Sequence, residues 1–163
     1  MKRSDIFDYI QKHSPAGIQF VDPYLSDVPL PKGDFVSLNI LPVEDVAASQ
    51  HRTTAYDAEA GTVSVTYSQE RIYTVQFDCF GADALDTALM LKQRLKDFFY
   101  DTPDTLFNLK TVTDIENLSD LLDNKRYLER YSFRMSFYIM DEWTDENQPA
   151  LEQVATAAVD IAK

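Results

Sequence analysis

Apolar and polar residues alternate strictly between Ile72 and Phe80. Tyr73, Val75, Phe77 and Cys79 fall on one side; Thr74, Gln76 and Asp78 fall on the other. A period of two marks a strand with one buried face. Gly81 interrupts it, and the period then lengthens to that of a helix. Ala84, Ala88, Leu91, Leu95 and Phe98 form one stripe, and Leu85, Leu89 and Phe99 are expected to widen it into a broad buried face. Asp83 and Asp86 sit in the first turn, where the partial positive charge of the helix end favours carboxylates. The stretch from Arg71 to Tyr100 is therefore a strand, a glycine corner and a long helix laid across a sheet.

The rest of the chain extends this unit. Ser4 is placed to cap a short helix over Asp5–Lys12, which ends at Ser14-Pro15-Ala16-Gly17. Residues 22–34 carry Pro23, Pro29, Pro31 and Gly33 and read as an extended connector. Phe35–Leu41 alternates as a strand. Glu44–Gly61 is polar and reads as a projecting loop or short ribbon. Thr62–Ser68 alternates again, and Gln69-Glu70 is expected to turn it into the central strand as a hairpin. Leu109–Ile115 is a short strand, Asn117–Asn124 a turn or single helical turn, and Tyr127–Met140 the longest strand. Asp141–Gln148 is acidic around Trp143. Leu151, Val154, Ala155, Ala158, Val159 and Ala162 recur at helical spacing. The expected fold is α+β: a mainly antiparallel sheet with the long helix on one face, plus N-terminal and C-terminal helices, in one domain over residues 1–163. Within it, residues 44–61 are the projection, and residues 141–163 are the acidic segment and last helix.

Composition narrows the function classes. With 163 residues, 45% of them apolar and 12% aromatic, the chain can bury a substantial core. No apolar run approaches the roughly 20 residues that cross a bilayer, so no membrane partner is expected. No apolar run follows Lys2-Arg3, so no signal peptide is expected. A lone cysteine, Cys79, makes no internal disulfide and points to a reducing place of folding. The net charge of −12, without clustered Lys and Arg, argues against tight nucleic-acid binding.

Candidate chemistry is sparse. His13 and His51 lie in different segments, and Cys79 falls on the buried face, so no metal or nucleophile set emerges. The four glycines form no phosphate loop. Asp78, with Glu70 or Glu129, is a weak nuclease-like carboxylate set; an outward strand residue or helix cap is the better reading. Glu129-Arg130 reads as a structural ion pair or a subunit contact, with the structural role favoured. No catalytic residue, cofactor or metal is assigned.

Two landmarks carry a resemblance. One is Tyr73-Thr-Val-Gln-Phe-Asp-Cys-Phe-Gly81-Ala-Asp-Ala84-Leu-Asp-Thr-Ala88-Leu-Met-Leu91; the other is Glu129-Arg130-Tyr131-Ser-Phe133-Arg-Met135-Ser-Phe137. In this order and spacing they resemble the phage neck and tail terminator family, over most of residues 4–140. The resemblance implies a non-enzymatic virion protein, assembled in the host cytoplasm, that forms a ring, commonly of six subunits. Such a ring ends tail-tube polymerisation and joins tube protein to head–tail connector, with DNA passing through without specific binding. Interface residues are then expected at Arg52, Thr53, Thr54 and Tyr56, and at Glu129 and Arg130. The alternative by size, acidity and element order is a dimeric type III secretion-like chaperone that binds extended protein segments.

Overall fold

The computed structural model describes residues 3–24, 31–46, 50–57, 62–102, 107–123 and 126–148. The elements are α1 (Arg3–His13), β1 (Phe20–Val21), β2 (Phe35–Ile40), β3 (Glu44–Asp45), β4 (His51–Asp57), β5 (Thr62–Phe80), α2 (Ala84–Asp101), β6 (Asn108–Val112), β7 (Glu116–Asn117), β8 (Asp120–Asp123), β9 (Arg126–Leu128) and β10 (Arg130–Gln148). The fold is mixed α and β with a mostly antiparallel eight-stranded sheet, as the alternation predicts. Two compact units divide the chain: Met1–Glu44 with Arg71–Ile139, and Asp45–Glu70 with Met140–Lys163. The division falls within β5 and β10.

The first unit holds the main core. Its strand order is β1-β2-β5-β10-β6, with β7 also paired to β10. β2 runs antiparallel to β5, with Val36 opposite Cys79 and Leu38 opposite Phe77. Val75, Phe77 and Cys79 of β5 are fully buried, with Phe133, Met135, Phe137 and Ile139 of β10. Ile6 and Ile10 of α1, and Ala84, Ala88, Leu91, Leu95 and Phe99 of α2, close the same cluster. Both helices therefore cover one face of the sheet, the one on which the odd-numbered residues of β5 and β10 stand. The rings of Phe77 and Phe133 stack with centroids 4.6 Å apart.

Gly81 is required at the corner. Its φ is +118°, and a Cβ there would lie 2.8 Å from the Asp34 Cα and closer still to that residue's carboxylate. Its N–H donates to the Glu129 carbonyl at 3.3 Å, tying the corner to the start of β10.

Several expectations give way. Gln69-Glu70 is no turn: Thr62–Phe80 is one continuous strand. The alternation never changes phase across those residues, and Gln69 stays buried on the side that holds Val63 and Val65. The hairpin partner of Thr62–Ser68 is instead β4, paired from His51 opposite Ser68 to Asp57 opposite Thr62. Asn117–Asn124 contributes strand residues to β7 and β8, the latter paired with β9. Asp141–Gln148 continues β10. Acidic residues are poor strand formers, but here Tyr67 stacks on Trp143 at 5.6 Å and Thr66 shares a 3.1 Å hydrogen bond with Thr144, both within the second unit. Ser4 lies inside α1 rather than before it, its hydroxyl on Asp5. Leu85 and Leu89 are exposed, not buried. The expected C-terminal helix lies outside the described residues, as do parts of the Pro-rich connector and of the Glu44–Gly61 segment.

Candidate functional site

On the helix-free face of the first unit the sheet carries a connected polar row. The even-numbered residues of β5 and β10 stand here, because one strand face is committed to the core. Asp78 is only 1% exposed. It accepts from Asn39 Nδ2 at 3.0 Å, from Gln76 Nε2 at 3.1 Å, and from the Arg130 guanidinium at 3.1 and 3.3 Å. Gln76 Oε1 in turn accepts from Arg134 Nε at 3.1 Å. Further along, Thr74 and Ser136 share a hydrogen bond of 2.8 Å. A buried carboxylate with three partners is a satisfied structural group. Asp78 is held by Asn39, Gln76 and Arg130 rather than set beside Glu70 or Glu129, which leaves the nuclease-like set without its geometry.

The guanidinium of Arg130 also lies 5.5 Å from the centre of the Phe80 ring, which stacks on Phe35 at 4.7 Å. Arg130 thus closes over Asp78 with its guanidinium beside the Phe80 ring. Glu129, beside it, is exposed, and its backbone carbonyl holds Gly81. In the second unit, Arg52, Thr53 and Thr54 are exposed on β4, and Tyr56 follows on the same strand opposite Val63.

Of the groups with catalytic potential, His13 and Cys79 are engaged in packing. The His13 ring stacks on Phe98 at 4.2 Å and packs at a tilt against Tyr9 at 4.6 Å. His51 is an exposed strand residue opposite Ser68. Burial, with a lesser effect of the Asp78 carboxylate, pushes the Cys79 thiol up from 9.0 to about 12, which keeps it protonated and unreactive at neutral pH. Among the described residues no group of three or more His, Cys, Asp or Glu is placed to hold a metal ion.

Residues 4–162 match the family model of the phage neck terminator protein. The chain belongs to that family. The match takes in Asp141–Asn147 and the C-terminal segment, for which the sequence motifs alone offered no counterpart. No curated protein matches the chain. A phage neck terminator protein is a structural component of the virion, located at the neck and tail, with a role in joining tail to head. Among the described residues no helix is long and apolar enough to cross a membrane.

Two features escaped sequence reasoning. Arg130 and Arg134 share a strand face by parity with Asp78 and Gln76 on the neighbouring strand, a signal that was present but needs the β5–β10 pairing to be read. The exposure of Leu85, Leu89 and Met90 had no signal, because a leucine stripe reads the same whether its outer members touch core or water.

Proposed function

We propose that the protein caps the phage tail tube as a ring, commonly of six copies, ends tube polymerisation there and presents the surface to which the head–tail connector binds. The observation that carries this reading is the family match over residues 4–162. The type III secretion-like chaperone finds no comparable support. Tube protein, connector and further copies of the chain are the partners, and the ring assembles in the host cytoplasm. No catalysis and no cofactor enter the proposal.

Electrostatics supports passage of DNA through the ring without adhesion. The chain carries −12, so six copies would carry roughly −72, a field that repels phosphate. The residues assigned to the joint are Arg52, Thr53, Thr54 and Tyr56 on β4 and Glu129 and Arg130 at β10.

Imaging tests the reading. Adding the purified protein to growing tail tubes is expected to stop elongation and leave a ring at one end of each tube. Tubes that elongate unchanged, with no ring, would remove the proposal.

A further inference from the structure

The second unit has a buried face that its strands do not account for. β5 is its central strand. β4 pairs along one side of it, from His51 opposite Ser68 to Asp57 opposite Thr62. β10 lies on the other side, where Thr144 meets Thr66 and Trp143 stacks on Tyr67. On the odd-numbered side of β5, Val63 is 6% and Val65 0% exposed. Burial of that order needs a second layer, because a single sheet leaves both of its faces open to water. Yet the described elements of this unit all belong to the sheet itself. Gln69 and Asp141, buried further along the same side, both have partners. The part that calls for an apolar cover is therefore Val63 and Val65.

The sequence supplies a matching cover. The unit runs on to Lys163, and the family match to residue 162. Leu151, Val154, Ala155, Ala158, Val159 and Ala162 recur at helical spacing, while Glu152, Gln153, Thr156 and Asp160 fall on the other side of that period. Pro149 directly follows β10 and has no N–H to add to a ladder, so it ends the strand. Pro149 and Ala150 together reach at most about 7 Å, which starts the next element beside the end of β10. The Thr144–Thr66 and Trp143–Tyr67 contacts progress in opposite directions along the two strands, so β10 is antiparallel to β5 and ends toward Val63. Residues 151–162 as a helix would rise about 18 Å. The run of β5 from Val63 to Gln69 is about 20 Å.

We propose that residues 151–162 form an amphipathic helix that docks its Leu151, Ala155 and Ala158 side over Val63 and Val65 of the same copy. The short connection keeps the segment on its own sheet, and the alanines let a helix approach closely. Arg52 and Thr54, on the outer strand β4, stay exposed beside it. This docking does not depend on the ring reading.

Hydrogen exchange on the full-length protein tests the docking. Ala158→Asp puts a carboxylate on the docking side, and Thr156→Asp puts the same group on the opposite side. Ala158→Asp is expected to speed amide exchange over residues 63–68 by about tenfold or more, with residues 75–79 of the first unit unchanged. Thr156→Asp is expected to exchange like the parent. If Ala158→Asp disturbs both units, the uncharged Leu151→Ala replaces it, with the same pattern expected at smaller amplitude. Parental exchange over residues 63–68 in both Ala158→Asp and Leu151→Ala would overturn the proposal and give the second layer to another part of the chain. Equal acceleration by Thr156→Asp would remove the sidedness on which the docking rests. Protection of residues 63–68 in the parent is expected to be independent of concentration. Protection lost on dilution would assign the cover to a second copy and overturn docking within one chain.

Discussion

Arg130 grips Asp78 across 52 residues of chain, with Nη2 at 3.1 Å and Nε at 3.3 Å from the same carboxylate oxygen. The pair links the beginning of β10 to the end of β5, next to the Gly81 corner. Asp78 is buried and Arg130 partly so. Removing one member of such a pair leaves an uncompensated charge in a poorly solvated place, which is costlier than the pair is stabilising. Arg130→Ala is therefore expected to destabilise the protein by about 3 kcal/mol, read from urea denaturation midpoints. The donors Asn39 and Gln76 remain, which holds the loss at the lower end. Combining Asp78→Asn with Arg130→Leu is expected to recover most of it. A single variant as stable as the parent would show that the pair is incidental.

The corner itself is more sharply constrained. Gly81 holds φ at +118°, and a Cβ would crowd both the side chain and the Cα of Asp34. A swing of the Asp34 carboxylate relieves the first contact but not the second. Gly81→Ala is expected to lower stability by about 2 kcal/mol or more, combining left-handed strain with the backbone clash. Pairing it with Asp34→Gly should recover only part of the loss. Full recovery in thermal melts would place the whole cost in the side chain and refute the backbone argument.

How much of this was legible beforehand depends on the range of the interaction. The alternation of Tyr73–Cys79 and Tyr131–Ile139 named the buried strand faces, because period-two burial is local information. The helical stripe of Ala84, Ala88, Leu91 and Leu95 was equally readable. The same local rules placed a turn at Gln69-Glu70, where the chain runs straight, and a break at Asp141, where it continues as strand. In both cases pairing with distant residues decides. His51–Asp57 lines β5 from Thr62 to Ser68, and Thr144 meets Thr66. Glu129-Arg130 suggests a structural ion pair, and Arg130 forms one, with Asp78; that partner is not legible locally, because the pairing depends on which strands are neighbours. The exposure of Leu85 and Leu89 is the least legible, since an apolar helix position reads the same whether it meets core or water.

Cys79 makes stability depend on pH in a predictable direction. Its thiol is pushed up from 9.0 to about 12, chiefly by burial and secondarily by Asp78. The unfolded chain gives up this proton near pH 9, and the folded chain only near pH 12. Between these values the folded state binds more protons, so stability falls as pH rises. The contribution is complete below pH 9 and is lost by up to about 1.4 kcal/mol per pH unit above it. Denaturation midpoints at pH 8 and pH 10 are expected to show a steeper decline for the parent than for Cys79→Ala. The alanine variant is less stable at pH 8 through its cavity, and the two proteins converge at higher pH. Parallel slopes would mean that the buried thiol plays no part.

The exposed residues of β4 allow the proposed joining role to be tested apart from folding. Arg52, Thr53 and Thr54 are exposed along it, while the buried residues of the paired stretch are Val63 and Val65 on β5. Surface substitutions away from buried features change stability by about 0.5 kcal/mol or less. Arg52→Glu is thus expected to leave the melting curve unchanged, while Val65→Ala, which empties a fully buried position, is expected to cost about 2 kcal/mol. Yet Arg52→Glu reverses a charge on a strand assigned to the joint, and capping of tail tubes is expected to fall at least tenfold. Tube-length distributions with and without the variant measure this directly. Normal capping by Arg52→Glu would take the joint away from β4, and a drop in stability of 2 kcal/mol or more would make Arg52 a folding residue rather than a joining one.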